Sequence, residues 1–362
     1  MKKFLIINPF GIGDVLFTTP IISNIKDAYP DSLIGYWCNE RVKGILEPNP
    51  KIDRIFALSR GDLKKIFQKN FFVGISKALK LFSQIRKERF DVSIDCSLDH
   101  RYGLVSKLAG IRQRLGYNYK NRGRFLTKKI DLSGYSAKHV VEYYLDLLRF
   151  IGINPKRVNL ELALSSKDKI KADKLLNDYG VGLKDLIVVI APGAGASWGV
   201  DASFKHWPQK NFAQLADLVM EKYSVKVLIL GDEPESTISQ NITSLMRNKP
   251  VDLTGKTDLG VLAAIIDRSD FLIANDGGPL HMGVALNKKT LSFYGPVSPL
   301  IYGPYPPNDN RHIVLKSKLN CVPCYHNFRL SECKNNKECL EDISVNEAFE
   351  AAARLLTGER NN

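Results

Sequence analysis

Short apolar segments alternate with longer segments of helical periodicity along most of the chain, and this alternation restricts the fold more than any other feature. One cycle starts with the apolar run Phe4 to Ile7, and a second starts with the run Leu186 to Ile190. Such alternation predicts parallel βαβ units with helices on both faces of a sheet. Two cycles in 362 residues predict an α/β protein with two doubly wound, Rossmann-like domains. We expect an N-terminal domain over 1–160, a C-terminal domain over 161–343 and a final helical segment over 344–362.

The composition is that of an ordinary globular protein, with 44% hydrophobic and 25% charged residues. The sequence lacks a run of about 18 apolar residues, which a transmembrane helix would need. The first apolar run ends at Asn8-Pro9 and is too short for the core of a signal peptide. We therefore expect a cytoplasmic protein.

The positive charge is concentrated in one part of the first half. The formal net charge is +14, and no Asp or Glu lies between His100 and Asp131. The stretch 101–129, here called the basic segment, carries Arg101, Lys107, Arg112, Arg114, Lys120, Arg122, Arg124, Lys128 and Lys129. Such a surface attracts nucleic acid, anionic lipid headgroups or phosphorylated glycans. Alternatively, it is a solvated face that contributes only to solubility.

The first loop that carries a candidate catalytic residue is Gly11-Ile12-Gly13-Asp14, which follows the first strand and begins a helix. Ligands of doubly wound sheets bind beyond the carboxyl ends of the strands, so this position is favourable. Asp14 would lie at the positive end of the helix dipole, where it can accept a proton or orient a hydroxyl group. It can equally be a simple helix cap. The G-x-G-x-x-G dinucleotide pattern is incomplete, because Leu16 occupies its last position.

Three loops of the second half have the chemistry of a nucleotide-diphosphate site. The amides of Gly277 and Gly278 lie where a helix begins and can hold a diphosphate, with His281 close behind. Lys205 can bring positive charge to a phosphate or a leaving group. An acid within Gly231 to Glu235 can hold ribose hydroxyl groups. The competing interpretations are a structural glycine turn, a solvated lysine and surface turn acids.

In this order, the loops resemble glycosyltransferase family 9, the ADP-heptose:lipopolysaccharide heptosyltransferases. The residues that carry the resemblance are Gly13-Asp14, Thr19-Pro20, Pro192-Gly193-Ala194, Lys205-His206-Trp207-Pro208, Gly231 to Glu235, Asp276-Gly277-Gly278 and His281. The resemblance extends from Phe4 to about Ile343. It implies a GT-B fold, in which two Rossmann-like domains face each other across a cleft. It also implies that the last helix, Asn346 to Thr357, crosses back to the first domain.

The resemblance further implies the roles of individual residues. Asp14 would be the catalytic base, and Lys205 would contact the donor phosphate as the second catalytic residue. The donor site would consist of Gly193, Ala194, Glu235, Asp276, Gly277, Gly278 and His281, with Glu235 on the ribose. The acceptor site would include Gly13, Arg101, Arg112, Arg114, Arg122 and Arg124. The reaction would be an inverting displacement that needs no metal cofactor, which agrees with the absence of an Asp-x-Asp motif from the sequence.

The expected partners are an ADP-sugar donor, a phosphorylated glycolipid acceptor and the anionic inner face of the inner membrane. The sugar is expected to be a heptose, and the acceptor a lipopolysaccharide core or a related glycan. The apolar run Phe71 to Phe82 either lies at the membrane interface or packs as an ordinary helix.

Two other functions fit parts of the sequence. A nucleotide-sugar epimerase would need its acid and base groups within the donor domain, whereas Asp14 belongs to the other domain. A nucleic-acid-binding protein would use the basic segment, but its aromatic residues are not interleaved as a stacking platform requires. We therefore expect no nucleic-acid partner.

Four cysteines lie close together near the end of the chain. Cys321, Cys324, Cys333 and Cys339 have the spacing C-x2-C-x8-C-x5-C, which allows a structural zinc site although the spacing is short for a zinc ribbon. Disulfides are disfavoured in a reducing compartment. The alternative is a thiol-rich loop with no metal.

Overall fold

A computed structural model describes residues 1–358, including all of their side chains except those of Arg60, Ala196, Ser197 and Val200. The chain divides into two compact units between Ala163 and Leu164. This boundary lies three residues after the one expected from the sequence. No helix within residues 1–358 is long and apolar enough to cross a membrane.

The first unit is built on a parallel sheet whose strands are β1 Lys3–Ile7, β2 Leu33–Cys38, β3 Arg54–Ala57, β4 Val92–Asp95, β5 Gln113–Tyr119 and β6 Lys128–Leu132. The strand order is β3-β2-β1-β4-β5-β6, and each neighbouring pair is parallel. The helices of this unit are α1 Ile12–Leu16, α2 Thr19–Ala28, α3 Lys43–Leu46, α4 Arg60–Lys69, α5 Phe71–Glu88, α6 His100–Leu108 and α7 Val140–Asp146. Short 3-10 helices cover Glu40–Val42 and Leu147–Ile151.

The second unit repeats this architecture with β7 Ile187–Ala191, β8 Lys226–Ile229, β9 Val251–Asp252, β10 Phe271–Asn275, β11 Lys289–Tyr294 and β12 His312–Lys316. The strand order is β12-β11-β10-β7-β8-β9, again parallel throughout. The helices are α8 Ser166–Asp178, α9 Gln209–Tyr223, α10 Ser236–Leu245, α11 Leu259–Arg268, α12 Gly278–Ala285, α13 Pro299–Tyr302, α14 Glu338–Glu341 and α15 Val345–Thr357. The 3-10 helices are Ala196–Lys205 and Glu233–Glu235, and a small antiparallel hairpin joins β13 Tyr325–His326 to β14 Arg329–Leu330.

Both sheets have the order 3-2-1-4-5-6 when their strands are counted from the first of each unit. This is the order of Rossmann-type domains, in which ligands bind where the direction of the connections reverses. The predicted α/β class with two doubly wound domains is confirmed. The reversal points are between β1 and β4 in the first unit and between β7 and β10 in the second.

The helical region that follows β1 is interrupted between α1, Ile12–Leu16, and α2, Thr19–Ala28. The hydroxyl groups of Thr18 and Thr19 donate to the carbonyl oxygens of Val15 and Leu16, each at 2.7 Å. Pro20 is the second residue of α2 and has no amide hydrogen to donate. These three residues therefore end one helix and begin the next, which leaves α1 as a short, separate helix.

The basic segment contains secondary structure that its charge concealed. It includes most of α6, all of β5 and the start of β6. In β5, Leu115, Gly116, Tyr117 and Tyr119 are buried, whereas Gln113 at its start is exposed. The second half of this strand therefore belongs to the interior of the first unit. The cations are consequently distributed over a helix, two strand ends and the loop between them.

The last helix, α15, packs within the second unit, unlike the helix that was expected to cross back to the first domain. Ala348, Ala351, Ala352 and Leu355 are buried in the hydrophobic core of the second unit. The helix contacts α9 and β11. Because alanine side chains are small, α15 can approach α9 and β11 closely. Its apolar face is therefore well buried, although it contains few large residues.

Candidate functional site

The reversal point of the second sheet brings together the loops that the sequence had singled out. The loop Pro192 to Gly195 follows β7, and Asp276-Gly277 follows the adjacent strand β10. The loop Gly231 to Glu235 follows β8, on the other side of β7. All three leave the carboxyl edge of one parallel sheet, which is where doubly wound domains bind their ligands.

Asn275 ties this cluster together. Its side-chain amide donates to the carbonyl oxygen of Pro192 at 2.6 Å, and its Oδ1 accepts the backbone N–H of Trp207 at 3.0 Å. The indole of Trp207 is fully buried and stacked on Phe293, with 4.1 Å between ring centroids. The loops after β7 and β10 are thereby fixed to the segment that carries Lys205. The sequence analysis assigned no role to Asn275, and only its position at the end of a buried strand could have suggested one.

Lys205 and Asp276 form a buried ion pair with a distance of 2.6 Å between Nζ and Oδ2. Their side chains are 9% and 7% exposed, so water screens the pair little. His281 adds a second contact, with Nε2 at 3.7 Å from Oδ1. Burial acts to raise the pKa of Asp276, but Lys205 and His281 outweigh it and hold the pKa below its ordinary value. Asp276 is thus kept ionised, and Lys205 is held in one place.

An aromatic wall lies beside this pair. The ammonium group of Lys205 is 4.6 Å from the ring centroid of Trp198, and Trp198 packs against Tyr325 with 4.8 Å between centroids. Tyr325 begins the small hairpin of β13 and β14, which lies between Cys324 and Cys333 in the sequence, and its backbone N–H donates to the carbonyl oxygen of Pro296, in the loop after β11. The sequence analysis assigned no function to Trp198 or Tyr325, which are about 130 positions apart and meet only in the folded chain.

Glu235 reaches over the loop that follows β7. Its carboxylate accepts the backbone N–H groups of Gly195 and Asp232, each at 3.1 Å. Burial raises the pKa of Glu235, and the charge of Asp232 raises it further, although the backbone donors oppose this. A Cβ atom on Gly193 would lie 1.8 Å from Oε1 of Glu235. Glycine at 193 is therefore required for the carboxylate to occupy this position.

The amide groups expected to hold a diphosphate lie at the start of α12. Gly277 is the N-cap, Gly278 is the first helical residue, and both are partly accessible. Gly277 lies against Ala194, so that an added Cβ atom would be 3.4 Å from its backbone. The seven residues predicted for the donor site and Lys205 therefore belong to one connected loop cluster. The cluster combines partly accessible backbone at the start of a helix with a buried cation paired to the preceding Asp276, which are features of an anion site.

Asp14 lies at the reversal point of the first sheet, as the third residue of α1 after the N-cap Gly11. Its backbone carbonyl oxygen accepts the side-chain amide of Asn8 at 2.9 Å, which attaches α1 to the end of β1. Burial raises the pKa values of Tyr36 and Cys96, and the nearby charge of Asp14 contributes further. The side chain of Asp14 is thus half-buried and close to the side chains of Tyr36 and Cys96, which stay neutral.

Asp95 is a second carboxyl group at this reversal point, and the sequence analysis did not single it out. It ends β4 and is buried, and its carboxylate accepts the backbone N–H of Ser97 at 2.8 Å. Burial raises the pKa of Asp95 to about 7. It borders a small pocket whose lining includes His100, Tyr117 and Arg122. A buried carboxyl group that titrates near neutrality beside a pocket is typical of functional sites.

The arginines expected on the acceptor side have unequal environments. Arg114 donates to the carbonyl oxygens of Ile111 and Phe125 and is a structural link, so we leave it out of the proposed acceptor contacts. Arg101 pairs with Asp99 at 3.2 Å, and Arg112 is exposed. Gly13 is the residue before Asp14 in α1.

Arg122 and Arg124 are exposed on the loop between β5 and β6. Their guanidinium groups lie 5.9 Å from the ring of Tyr119 and 4.9 Å from the ring of Phe125, respectively. The nearby rings orient the two cations while leaving them accessible, which suits them to an anionic ligand.

The four cysteines do not form a metal site. All are free thiols, and no group of three or more potential ligands able to hold a metal ion occurs within the described part of the chain. Cys321 is exposed, whereas burial raises the pKa of Cys339 to about 11 and disfavours the thiolate that binds metals. The predicted zinc site therefore receives no support.

Comparison with known proteins identifies the relatives of the chain. Residues 78–335 match the model of glycosyltransferase family 9 (heptosyltransferase). Lipopolysaccharide heptosyltransferase 3 of Escherichia coli K12 is 26% identical over 348 residues, which cover 95% of each chain. A family 9 glycosyl transferase structure from Veillonella parvula has a TM-score of 0.82 with 24% identity, covering 99% of this chain and 98% of that one. The E. coli heptosyltransferase WaaC with ADP has a TM-score of 0.71 with 15% identity, covering 98% and 99%.

Proposed function

The chain belongs to glycosyltransferase family 9 and is a glycosyltransferase, and from this premise we propose that it transfers a heptose from an ADP-sugar to a lipopolysaccharide core acceptor. The relative from E. coli K12 is named a lipopolysaccharide heptosyltransferase, and the structurally similar WaaC was determined with ADP. Family membership favours transfer over the epimerase and the nucleic-acid-binding protein considered from the sequence. The observation that carries the proposal for the donor is the buried pair of Lys205 and Asp276, which directly precedes the partly accessible Gly277 and Gly278 at the start of α12.

In the proposed site, the diphosphate of the donor lies on the amides of Gly277 and Gly278, at the positive end of α12. Lys205 approaches the phosphate from below, and Asp276 keeps its ammonium group in place. Glu235 holds the loop Gly193 to Gly195 and offers its remaining acceptor capacity to the ribose hydroxyl groups. The sugar lies beside the aromatic wall of Trp198 and Tyr325.

Asp14 is the proposed catalytic base. It accepts the proton of the attacking acceptor hydroxyl group while the new bond forms at C1 of the sugar. The bond from C1 to the phosphate oxygen breaks, and ADP leaves with the electron pair. Lys205 and the amides at the start of α12 stabilise the charge that develops on the departing diphosphate. The attack is from the face opposite to the leaving group, so the anomeric configuration inverts. The protein's own groups suffice for these steps, and the proposal includes no catalytic metal.

The acceptor is proposed to be a phosphorylated glycolipid that contacts Arg122 and Arg124 on the β5–β6 loop, and Arg101, Arg112 and Gly13 of the same unit are further candidates for contact. Guanidinium groups match phosphate and carboxylate geometry through paired hydrogen bonds. Such an acceptor belongs to an anionic leaflet, so we place the reaction at the cytoplasmic face of the inner membrane.

The proposal is tested by incubating the full chain with ADP-heptose and a deacylated core acceptor and following the acceptor mass. We expect an increase by one heptose unit, inversion at C1 and no dependence on added divalent cations. UDP- and GDP-sugars are the matched control donors, and they should neither stabilise the protein in thermal melts nor support transfer. Binding of ADP-heptose with isomerisation of the sugar and no transfer would instead identify an epimerase.

A further inference from the structure

The helical hairpin formed by α4 and α5 exposes an unusual number of large apolar side chains. Phe72 is 80% exposed, Leu79 62% and Phe71 61%, and Val73 and Ile75 are also exposed, at 44% and 37%. Phe71, Ile75 and Leu79 are spaced four residues apart and therefore share one side of α5, with Phe72 next to them. We call Phe71, Phe72, Ile75 and Leu79 the apolar stripe.

The hairpin is anchored at only one end. Leu81 and Ile85, in the second half of α5, belong to a core cluster of the first unit together with Phe90. In the first half, Gly74 is the only buried residue within 71–80. A Cβ atom on Gly74 would lie 2.4 Å from the ring of Phe67, so glycine lets α4 pack closely on α5. The stripe is thus held on a well-packed helical pair and is not a frayed end.

Cations surround the stripe. Six exposed lysines belong to this hairpin, namely Lys64, Lys65, Lys69, Lys77, Lys80 and Lys87. The acids at its ends are engaged elsewhere. Asp62 is committed to the capping box of α4 with Ser59, and Glu88 accepts from Arg54 at 3.1 Å. The side of the hairpin that carries the stripe is therefore apolar and basic.

We propose that the α4–α5 hairpin docks on the surface of an anionic phospholipid bilayer. The apolar stripe enters the boundary between headgroups and acyl chains, and the lysines lie at the level of the lipid phosphates. Exposed phenylalanine and leucine flanked by lysine are what an interfacial helix requires. A protein partner would have to match both the apolar stripe and the cations, whereas an anionic leaflet offers both chemistries everywhere on its surface.

The hairpin adds a lipid contact to the proposed reaction, and its orientation toward an anionic leaflet rests on the proposed function. Binding to lipid is nevertheless measurable without any sugar. Failure of one proposal is thereby distinguishable from failure of the other: transfer to a deacylated acceptor tests the reaction alone, and vesicle flotation tests the hairpin alone.

The test is flotation of the full chain with vesicles of phosphatidylethanolamine and phosphatidylglycerol, compared with vesicles of phosphatidylcholine. We expect wild type to float with the anionic vesicles only. The double variant Phe72→Ser/Leu79→Ser should lose at least tenfold in the bound-to-free ratio. The matched control Leu183→Ser/Leu300→Ser removes two side chains of the second unit that are 75% and 77% exposed, and it should float like wild type.

The charge contribution is tested in the same assay with Lys64→Gln/Lys65→Gln/Lys69→Gln. This variant should bind more weakly and respond less to added salt. The control is Lys222→Gln/Lys226→Gln/Lys249→Gln, which removes three exposed lysines of the second unit. All hairpin variants should keep wild-type transfer to a deacylated acceptor and lose transfer to the same acceptor embedded in vesicles.

Three results would overturn the inference. One is wild-type flotation of Phe72→Ser/Leu79→Ser, another is equal binding to neutral and anionic vesicles, and the third is an equal loss in the control variants. A change of oligomeric state in sedimentation, with vesicle binding unaffected, would show that the stripe is an interface between two copies of the chain.

Discussion

The two sheets share the strand order 3-2-1-4-5-6, but the charged residues proposed to contact the two ligands differ in burial. In the second unit, Asn275, Glu235 and the pair of Lys205 and Asp276 connect loops from three strands. In the first unit, Asn8 and Asn39 hold the loop that leads to Asp14, whereas Arg122 and Arg124 are exposed on the β5–β6 loop.

This difference matches the demands of two ligands. A nucleotide diphosphate has a fixed shape and charge, so a rigid cradle of amides with a fixed cation is the efficient way to bind it. A glycan acceptor varies among enzymes of one class, and variable specificity is usually carried by loops on a rigid scaffold. One backbone thus supports a preorganised site in one unit and an adaptable site in the other.

The largest effect should come from breaking the buried pair of the second unit. Lys205→Ala leaves Asp276 buried without its cation, which should cost about 3–5 kcal/mol of unfolding free energy. Loss of charge stabilisation at the diphosphate should slow transfer by roughly 10² to 10³. The control Lys26→Ala removes a more exposed pair of the first unit, with Asp53 at 3.4 Å. It should cost no more than about 1 kcal/mol. Chemical denaturation measures the loss of unfolding free energy, and initial rates measure transfer. An equal loss of unfolding free energy in the two variants would contradict the difference between the units.

Asp95→Asn removes the buried carboxyl group of the first unit and should change how the stability of the protein depends on pH. In the unfolded chain Asp95 loses its proton near 3.8, and in the folded chain near 7. Wild-type stability therefore falls as pH rises through this window, whereas the asparagine variant has no proton to lose. The advantage of the variant should grow by about 2–3 kcal/mol between pH 5 and pH 8. Denaturation at both values measures it, with the exposed Asp173→Asn as control. A constant difference would show that Asp95 is ionised throughout.

Gly193→Ala should disturb the donor loop by steric conflict with Glu235. The new Cβ atom would meet the carboxylate, so we expect a loss of about 1–3 kcal/mol and weaker binding of ADP. Combining it with Glu235→Ala should restore part of the stability, since the conflict disappears. Gly44→Ala is the control, because nothing lies within 4 Å of its added Cβ atom. That variant should be neutral or slightly stabilising, and a similar loss there would point to a general effect of glycine.

The double variant Arg122→Ala/Arg124→Ala should have the smallest effect, confined to the acceptor. We expect the KM for the acceptor to rise about tenfold, because the loss of a charge-assisted contact worth about 1.4 kcal/mol weakens binding by that factor. The KM for the ADP-sugar should stay unchanged. The control Arg247→Ala removes an exposed arginine of the second unit. A rise in the KM for the ADP-sugar instead would show that the β5–β6 loop contacts the donor and not the acceptor.

The sequence predicted the repeated βαβ architecture because buried parallel strands such as β7 are uninterrupted apolar runs. It did not predict β5 and β6, because cations of the basic segment occupy exposed positions of both strands and interrupt the apolar pattern. The break at Thr18 depends on hydroxyl groups bonding to carbonyl oxygens, which a pattern of apolar spacing does not report. The packing of α15 depends on the small size of its alanines and was equally invisible.

Within the candidate site, the sequence singled out the individual loops but did not reveal their connections. Lys205 and Asp276 are 71 positions apart, and only the strand order brings them to 2.6 Å. The same holds for the contact between Gly193 and Glu235, which decides why position 193 is glycine. The raised pKa of Asp95 follows from its burial, a property of the folded chain alone.

The central claim is that a base in the first unit acts on a donor held by the second. Single-turnover transfer by Asp14→Asn, together with calorimetric binding of ADP-heptose, tests it most directly. The matched control is Asp168→Asn, which changes another aspartate at the third position of a helix. Our account predicts transfer roughly 10³-fold slower for Asp14→Asn, with donor affinity and the control unchanged. Transfer within tenfold of wild type, or a parallel loss of donor binding, would contradict it.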